Sequence, residues 1–322
     1  MNQTLRLQLL GSPQIYLDEV PVSAITIGKA QALLYYLSVT GRPHPRASLA
    51  TLLWAETSDR QARKNLRKLL THLRPTIGPY LTITREAVAI SDAKAHWLDV
   101  DLLRMALATE SAPMDVALLE RATTLYRGEF LDGFGIRNAP IFEEWMLTER
   151  AHYHELTVRA LTLLAQHYLA EEEYEAGLAS TRRLLTLEPW REVAHQQQMC
   201  LLASMGDRTA ALTQYETCRT ILAAEFGVDP MPETQELYEQ IKAGSGNGVT
   251  RWQGDKVTGR QKPVLSQKKV DKMTTGQQAN GRAGIVPSPC HRIALSPHRP
   301  VTSSQPPSPT QPTDWAAWTI CL

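Results

Sequence analysis

The chain opens on an alternation of apolar and polar residues. In LRLQLLG, residues 5–11, Leu5, Leu7 and Leu9 alternate with Arg6 and Gln8. A period of two predicts a half-buried strand. Gly11-Ser12-Pro13 interrupts it, QIYLD at 14–18 predicts a second strand, and a turn at Asp18-Glu19 leads to a third around Val20–Val22. Ile25 and Ile27 suggest a fourth. The period then becomes helical. Ala30, Leu33, Leu34 and Leu37 recur at helical spacing over 29–39, and Gly41-Arg42-Pro43 stops the run. A second helix is expected over 46–54, with Ser48 as a cap and Leu49, Leu52 and Leu53 inward. A third covers 58–74, with Ser58 or Asp59 at its start and Pro75 and Gly78 at its end. LTIT at 81–84 and VAI at 88–90, joined by Arg85-Glu86-Ala87, read as a β-hairpin.

From Asp99 to about Ala243 the patterns are helical throughout, with candidates near 99–109, 115–126, 140–170, 174–187, 191–205, 208–226 and 233–243. At Gly244 the character changes to Pro, Ser, Thr, Gln and Lys with few aliphatic residues. That composition buries too little apolar surface to offset the ordering entropy, so a disordered tail is expected over 244–322.

Charge sharpens this division. Residues 1–97 hold 12 Lys+Arg against 6 Asp+Glu, residues 98–243 hold 12 against 24, and residues 244–322 hold 10 against 3. A basic head on an acidic body fits a head that meets a polyanion, or two domains with independent solvated surfaces. No apolar run is long enough to span a bilayer, so the expected location is cytoplasmic with no membrane partner. Cys200, Cys218, Cys290 and Cys321 show no C-x-x-C spacing.

The third helix carries the candidate chemistry. On a helical wheel Ala62, Leu66, Leu69, Leu70 and Leu73 share one face. Arg60, Arg63, Lys64, Arg67, Lys68 and Arg74 fall opposite with Thr71, flanked by Gln61, Asn65 and His72. A basic face is often only a solvated one. This one lacks the Glu partners at i,i+4 that ordinary surface helices use. It also follows a short helix and precedes a hairpin, as a recognition helix does in a winged domain. Arg and Lys neutralise phosphates, while Arg, Asn, Gln and Thr can read base edges. Arg85, at the hairpin tip, is either an ordinary turn arginine or a reach toward a neighbouring phosphate or the minor groove.

These residues resemble a family. The N-terminal part is similar to the winged helix of OmpR-type regulators, as in the effector domains of two-component systems. More specifically, it resembles the Streptomyces antibiotic regulatory proteins, which carry a bacterial transcriptional activator domain. The matching stretches are LQLLGSPQIYLD, KAQALLYYL, LATLLWAE, ARKNLRKLLTHLR, WLDVDLL, LYRGEFLDGF, FEEWMLTER and GDRTAALTQYETCRTILAAEFGVDP. The resemblance covers about 1–243. It implies a winged-helix activator that binds promoter repeats in double-stranded DNA and contacts RNA polymerase. Arg60, Arg63, Lys64, Arg67, Lys68 and Thr71 carry over as DNA contacts, and Asn65, Arg74 and Arg85 complete the candidate set. The nucleotide-binding domain that members often carry has no counterpart, since no G-x-x-x-x-G-K-[ST] occurs.

The expected fold is therefore mainly α: a winged helix-turn-helix with a small sheet and wing hairpin over 1–97, an all-α helical domain over 98–243, then the tail. An offset of 34 residues lays Ala176 on Ala210 and Leu178 on Leu212, as in tetratricopeptide repeats. Gly177 and Ala211 would let paired helices approach, leaving a concave surface for a partner. Phe142, Trp145, Tyr153 and Tyr168 read as core, and Cys200 and Cys218 as small buried residues. His152 and His154 point to different faces and do not chelate together. Asp99 and Asp101 read as helix caps and dipole partners. No H-E-x-x-H, G-x-S-x-G or nucleotide fingerprint is present, so neither an enzyme nor a cofactor or metal is expected. Two other readings stay open: a helical-repeat adaptor whose winged domain no longer binds DNA, and the regulatory front end of a larger signalling protein. One monomer on one half-site binds weakly, which suggests tandem binding or a homodimer.

Overall fold

In the computed structural model, residues 4–91, 93–108 and 114–244 are described. The expected tail lies outside them. The first strand, β1 (Leu5–Gln8), pairs antiparallel with β2 (Gln14–Leu17) in the register Leu5↔Leu17 and Leu7↔Ile15. Leu5 and Leu7 are fully buried. On the other face Arg6 bonds Glu19 at 2.8 Å and lies over the Trp97 ring. The hairpin to β3 (Val20–Pro21) turns at Asp18 and Glu19, both at positive φ, the geometry of a two-residue turn that follows strand twist.

No fourth strand forms at Ile25 and Ile27. The segment leads instead into α1 (Gly28–Thr40): the Ile27 carbonyl accepts the N–H of Ala30 and of Gln31, and the Ile25 carbonyl takes the Gln31 amide. Gly41 closes α1 at φ +61°, a left-handed position that favours glycine. A two-residue strand, β4 (His44–Pro45), then enters α2 (Arg46–Leu53). Ser48 is not its cap. The helix begins two residues earlier, and the Arg46 N–H is taken by the Glu86 carbonyl.

Helix α3 (Asp59–Ile77) runs past the expected end, with Pro75 inside it. Proline lacks the N–H that would reach back to Thr71, but Pro75 is exposed, so water can satisfy the freed carbonyl. Ser58 sits at the N-cap position without a side-chain capping bond. A 3₁₀ turn at Gly78–Tyr80 leads to β5 (Leu81–Ile83) and β6 (Ala87–Ile90), which form a sheet in the order β4-β6-β5. Strand β7 (His96–Leu98) returns to lie parallel to β1, completing the order β3-β2-β1-β7.

Seven helices follow among the described residues: α4 (Asp99–Leu107), α5 (Val116–Leu125), α6 (Pro140–Ala170), α7 (Tyr174–Leu187), α8 (Glu192–Ser204), α9 (Arg208–Phe226) and α10 (Pro232–Ala243). Asp115 caps α5 through the Leu118 N–H and Asp207 caps α9 through the Ala210 N–H, each at 2.9 Å. The chain is thus mainly helical with a small sheet region at its N-terminus. Phe142, Tyr153 and Tyr168 are buried and Trp145 packs partly buried against them, as expected of core. Cys200 and Cys218 are fully buried. At Gly177 an added Cβ would lie 2.6 Å from a Leu201 methyl, so α7 and α8 meet at a contact only glycine permits without adjustment.

One hydrophobic core runs without interruption from Leu5 to Tyr168. It is stitched by backbone bonds from Leu131 to the Leu9 carbonyl at 2.8 Å and from Gly11 to the Glu129 carbonyl at 2.9 Å. Asp99 lies at the centre of this seam. It is not a cap: its carboxylate accepts the N–H groups of Leu9 and Leu10, at 2.7 and 2.9 Å, besides its own neighbour Val100. Burial pushes its pKa up to about 6, against the pull of those three bonds and of Arg127. Asp101 lies in the first turn of α4 and pairs with Arg104.

Candidate nucleic-acid interface

The amphipathic pattern of α3 becomes a physical division. Ala62, Leu66, Leu69, Leu70, Leu73 and Ile77 are buried. Arg60, Arg63, Lys64, Arg67, Lys68, Thr71 and Arg74 are exposed, and Asn65 is half-buried. Burying five large aliphatic side chains contributes about 1.5–3 kcal/mol each before entropy is counted. That anchor fixes which way the polar face looks.

The charges of that face are almost uncompensated. Arg63 pairs with Asp59 at 3.8 Å, with both side chains mostly exposed. Such a pair contributes little and is readily exchanged for a phosphate. Arg60, Lys64, Arg67, Lys68 and Arg74 have no ion-pair partner among the described residues. The Thr71 hydroxyl donates to the Arg67 carbonyl at 3.0 Å, leaving its oxygen lone pairs as acceptors. Gln61 donates to Asn65 Oδ1 at 2.8 Å.

Arg85 belongs to a different element. It stands exposed in the turn between β5 and β6, so the structure gathers the α3 residues on one face and leaves Arg85 on a separate projection. Thr84 shapes that turn by accepting the Ala87 N–H at 2.9 Å and donating to the Ala87 carbonyl. Arg46 fastens it. Its N–H donates to the Glu86 carbonyl at 2.8 Å and its guanidinium to the Thr84 carbonyl at 3.1 Å. The hydrophobic and charge pattern of the sequence does not mark Arg46 as part of the site. A signal was present: a cation in the first turn of a helix opposes the helix dipole and needs another reason to be there.

Lys29 plays a comparable part at the other end of α2. Its ammonium donates to the Leu53 carbonyl at 2.5 Å and lies 5.2 Å from the centre of the Trp54 ring. Burial lowers its pKa, while Glu56 acts to raise it. A cation at the C-terminus of α2 is favoured by the dipole, and here it braces the break between α2 and α3.

This arrangement can bind an extended polyanion. The exposed cations can each neutralise a phosphate, and the amides and hydroxyls among them can meet base edges. Among the described residues no group of three His, Cys, Asp or Glu side chains could hold a metal ion. Nor is any of their helices long and apolar enough to cross a membrane.

Residues 92–242 match the family described as the bacterial transcriptional activator domain. The chain is 26% identical over 246 residues to the regulatory protein AfsR of Streptomyces coelicolor, which covers 74% of this chain and 24% of AfsR. It is 27% identical over 249 residues to the transcriptional regulatory protein EmbR of Mycobacterium tuberculosis, covering 72% of this chain and 62% of EmbR. It therefore spans about a quarter of the length of the first relative and about three-fifths of the second. The solved structure of M. tuberculosis EmbR in complex with a low-affinity phosphopeptide superimposes with a TM-score of 0.57 at 23% identity, covering 77% of this chain and 68% of that one. That likeness is one of fold.

Proposed function

We propose, from the premise that this chain belongs with the Streptomyces antibiotic regulatory protein type of regulators, that it is a sequence-specific DNA-binding regulator of transcription. Its N-terminal part, 1–97, is read as a winged helix. α2 and α3 form the helix-turn-helix, α3 is the recognition helix, and the β5–β6 hairpin is the wing. The body, 98–243, is read as a tetratricopeptide-like helical domain that meets RNA polymerase. Arg60, Arg63, Lys64, Asn65, Arg67, Lys68, Thr71 and Arg74 face the major groove and its phosphates, and Arg85 reaches a flanking phosphate or the minor groove.

The observation that carries this reading is the basic face of α3, with five exposed cations that have no ion-pair partner among the described residues, on a helix whose other face is locked into the core. Electrostatics gives the same polarity: residues 98–243 hold twice as many acidic as basic side chains, so a polyanion is drawn to the head and kept off the body. The uninterrupted core joining head and body supports a fixed geometry between the DNA and whatever the helical part contacts.

The test is fluorescence anisotropy of a labelled duplex from the chain's own upstream region, titrated with the full chain beside an excess of unrelated duplex. Binding that survives the competitor supports the reading. No binding at low salt favours an adaptor that has lost DNA. Light scattering with and without the duplex addresses stoichiometry, and a single monomer in both conditions excludes tandem binding and dimerisation alike.

A further inference from the structure

Gln61 and Asn65 stand one helical turn apart on α3, joined by the bond from Gln61 Nε2 to Asn65 Oδ1 at 2.8 Å. Gln61 is exposed and Asn65 half-buried, and the bond ties the outer side chain to the inner one. The bond uses one amide hydrogen of Gln61 and the carbonyl of Asn65. Neither side chain makes another hydrogen bond among the described residues. The pair therefore presents a free acceptor, Gln61 Oε1, beside free donors on Asn65 Nδ2.

We propose that this amide pair is a base-reading element of α3 and that the base it reads is adenine. The proposal rests on the reading of α3 as the helix that enters DNA. Adenine is the base whose major-groove edge sets a donor, the N6 amino group, beside an acceptor, N7. Gln61 Oε1 accepts from N6, and Asn65 Nδ2 donates to N7. Guanine offers two acceptors on the same edge and would leave Gln61 Oε1 facing O6 without a proton between them. Cytosine offers a donor alone, and thymine an acceptor beside a methyl group.

Position supports the assignment. Gln61 and Asn65 are the third and seventh residues of α3, in the N-terminal half from which a recognition helix reaches base edges. The cations around them bind any phosphate and carry no sequence information through those contacts. Because the two amides are already bonded to each other, less side-chain freedom is lost when DNA arrives.

The experiment is selection from a randomised duplex library by the full chain, with sequencing of the bound pool, for the wild type, Gln61→Ala, Asn65→Ala and Lys68→Ala. The wild-type pool is expected to fix an A·T pair at one position. Gln61→Ala and Asn65→Ala each relax that position alone, by roughly 5- to 150-fold in discrimination, and leave the salt dependence of binding unchanged. Lys68→Ala keeps the selected sequence, weakens binding to all duplexes and lowers the salt slope by about 0.9. If both amide variants select the same bases as the wild type, or the relaxed position is G·C, the adenine assignment is wrong while α3 remains the DNA-reading helix. A wild-type pool without any enriched sequence overturns both.

Discussion

Replacing Asp99 with alanine attacks the seam between the N-terminal sheet and the helical body. The buried N–H groups of Leu9 and Leu10 lose the carboxylate that accepts them, and each orphaned donor costs about 1–3 kcal/mol. Removing a buried carboxylate gives part of this back, because burial holds that carboxyl at about 6 instead of the usual 3.8. A folded pKa above the unfolded one means that the native state binds the extra proton. The group's stabilisation is therefore fully present below 3.8 and is lost as pH rises through 6. Between pH 5 and pH 7 the wild type loses on the order of 1 kcal/mol from this group, and the alanine variant loses nothing. The penalty of Asp99→Ala is thus larger at pH 5 than at pH 7. At pH 7 about 1–3 kcal/mol is expected, a fall in Tm of roughly 2–4 °C per kcal/mol for a chain of this size. Thermal unfolding of the full chain, followed by circular dichroism at both pH values, measures it. A penalty equal at the two pH values, or an unchanged Tm, refutes the role assigned to the carboxyl.

Three other outcomes follow from the packing. Gly177→Val should destabilise by about 1–3 kcal/mol in urea unfolding, because its Cβ would overlap a Leu201 methyl where α7 meets α8. Arg46→Met frees the turn that carries Arg85; binding to promoter DNA should weaken several-fold with a loss of stability under about 1.5 kcal/mol. In an Arg85→Ala background the same change should have little further effect on binding. His195 is buried between the Pro189 carbonyl and the Gln214 amide, and burial lowers its pKa from 6.5. Its contribution is present above 6.5 and lost as pH falls. His195→Gln should flatten the acid side of a stability–pH profile, opposite in sign to the Asp99 effect.

Much of this fold was legible in the sequence. The helices expected over 140–170, 174–187 and 208–226 span those residues: Pro140 opens the first, Glu188-Pro189 closes the second, and Asp207 and Gly227 bound the third. The buried face of α3 was legible for the same reason. What the pattern missed is non-local. Strands β4 and β7 have two and three residues, too short to show a period, and exist only because β6 and β1 accept them. Asp99 read as a cap because its true partners lie about ninety residues earlier in the chain. Pro75 read as a stop, yet three more residues were anchored by Ile77 in the core. The role of Arg46 is invisible to local pattern because the carbonyls it holds come from a hairpin nearly forty residues away.

The measurement that bears most directly on function is the salt dependence of binding to upstream promoter DNA by the full chain and by a variant with Arg63, Lys64 and Arg67 changed to alanine. Tight wild-type binding that falls steeply with salt, and a slope shallower in the variant by roughly 0.9 for each phosphate no longer neutralised, is the expected result. Equal affinity and equal slope in the two proteins would contradict it and move DNA recognition away from α3.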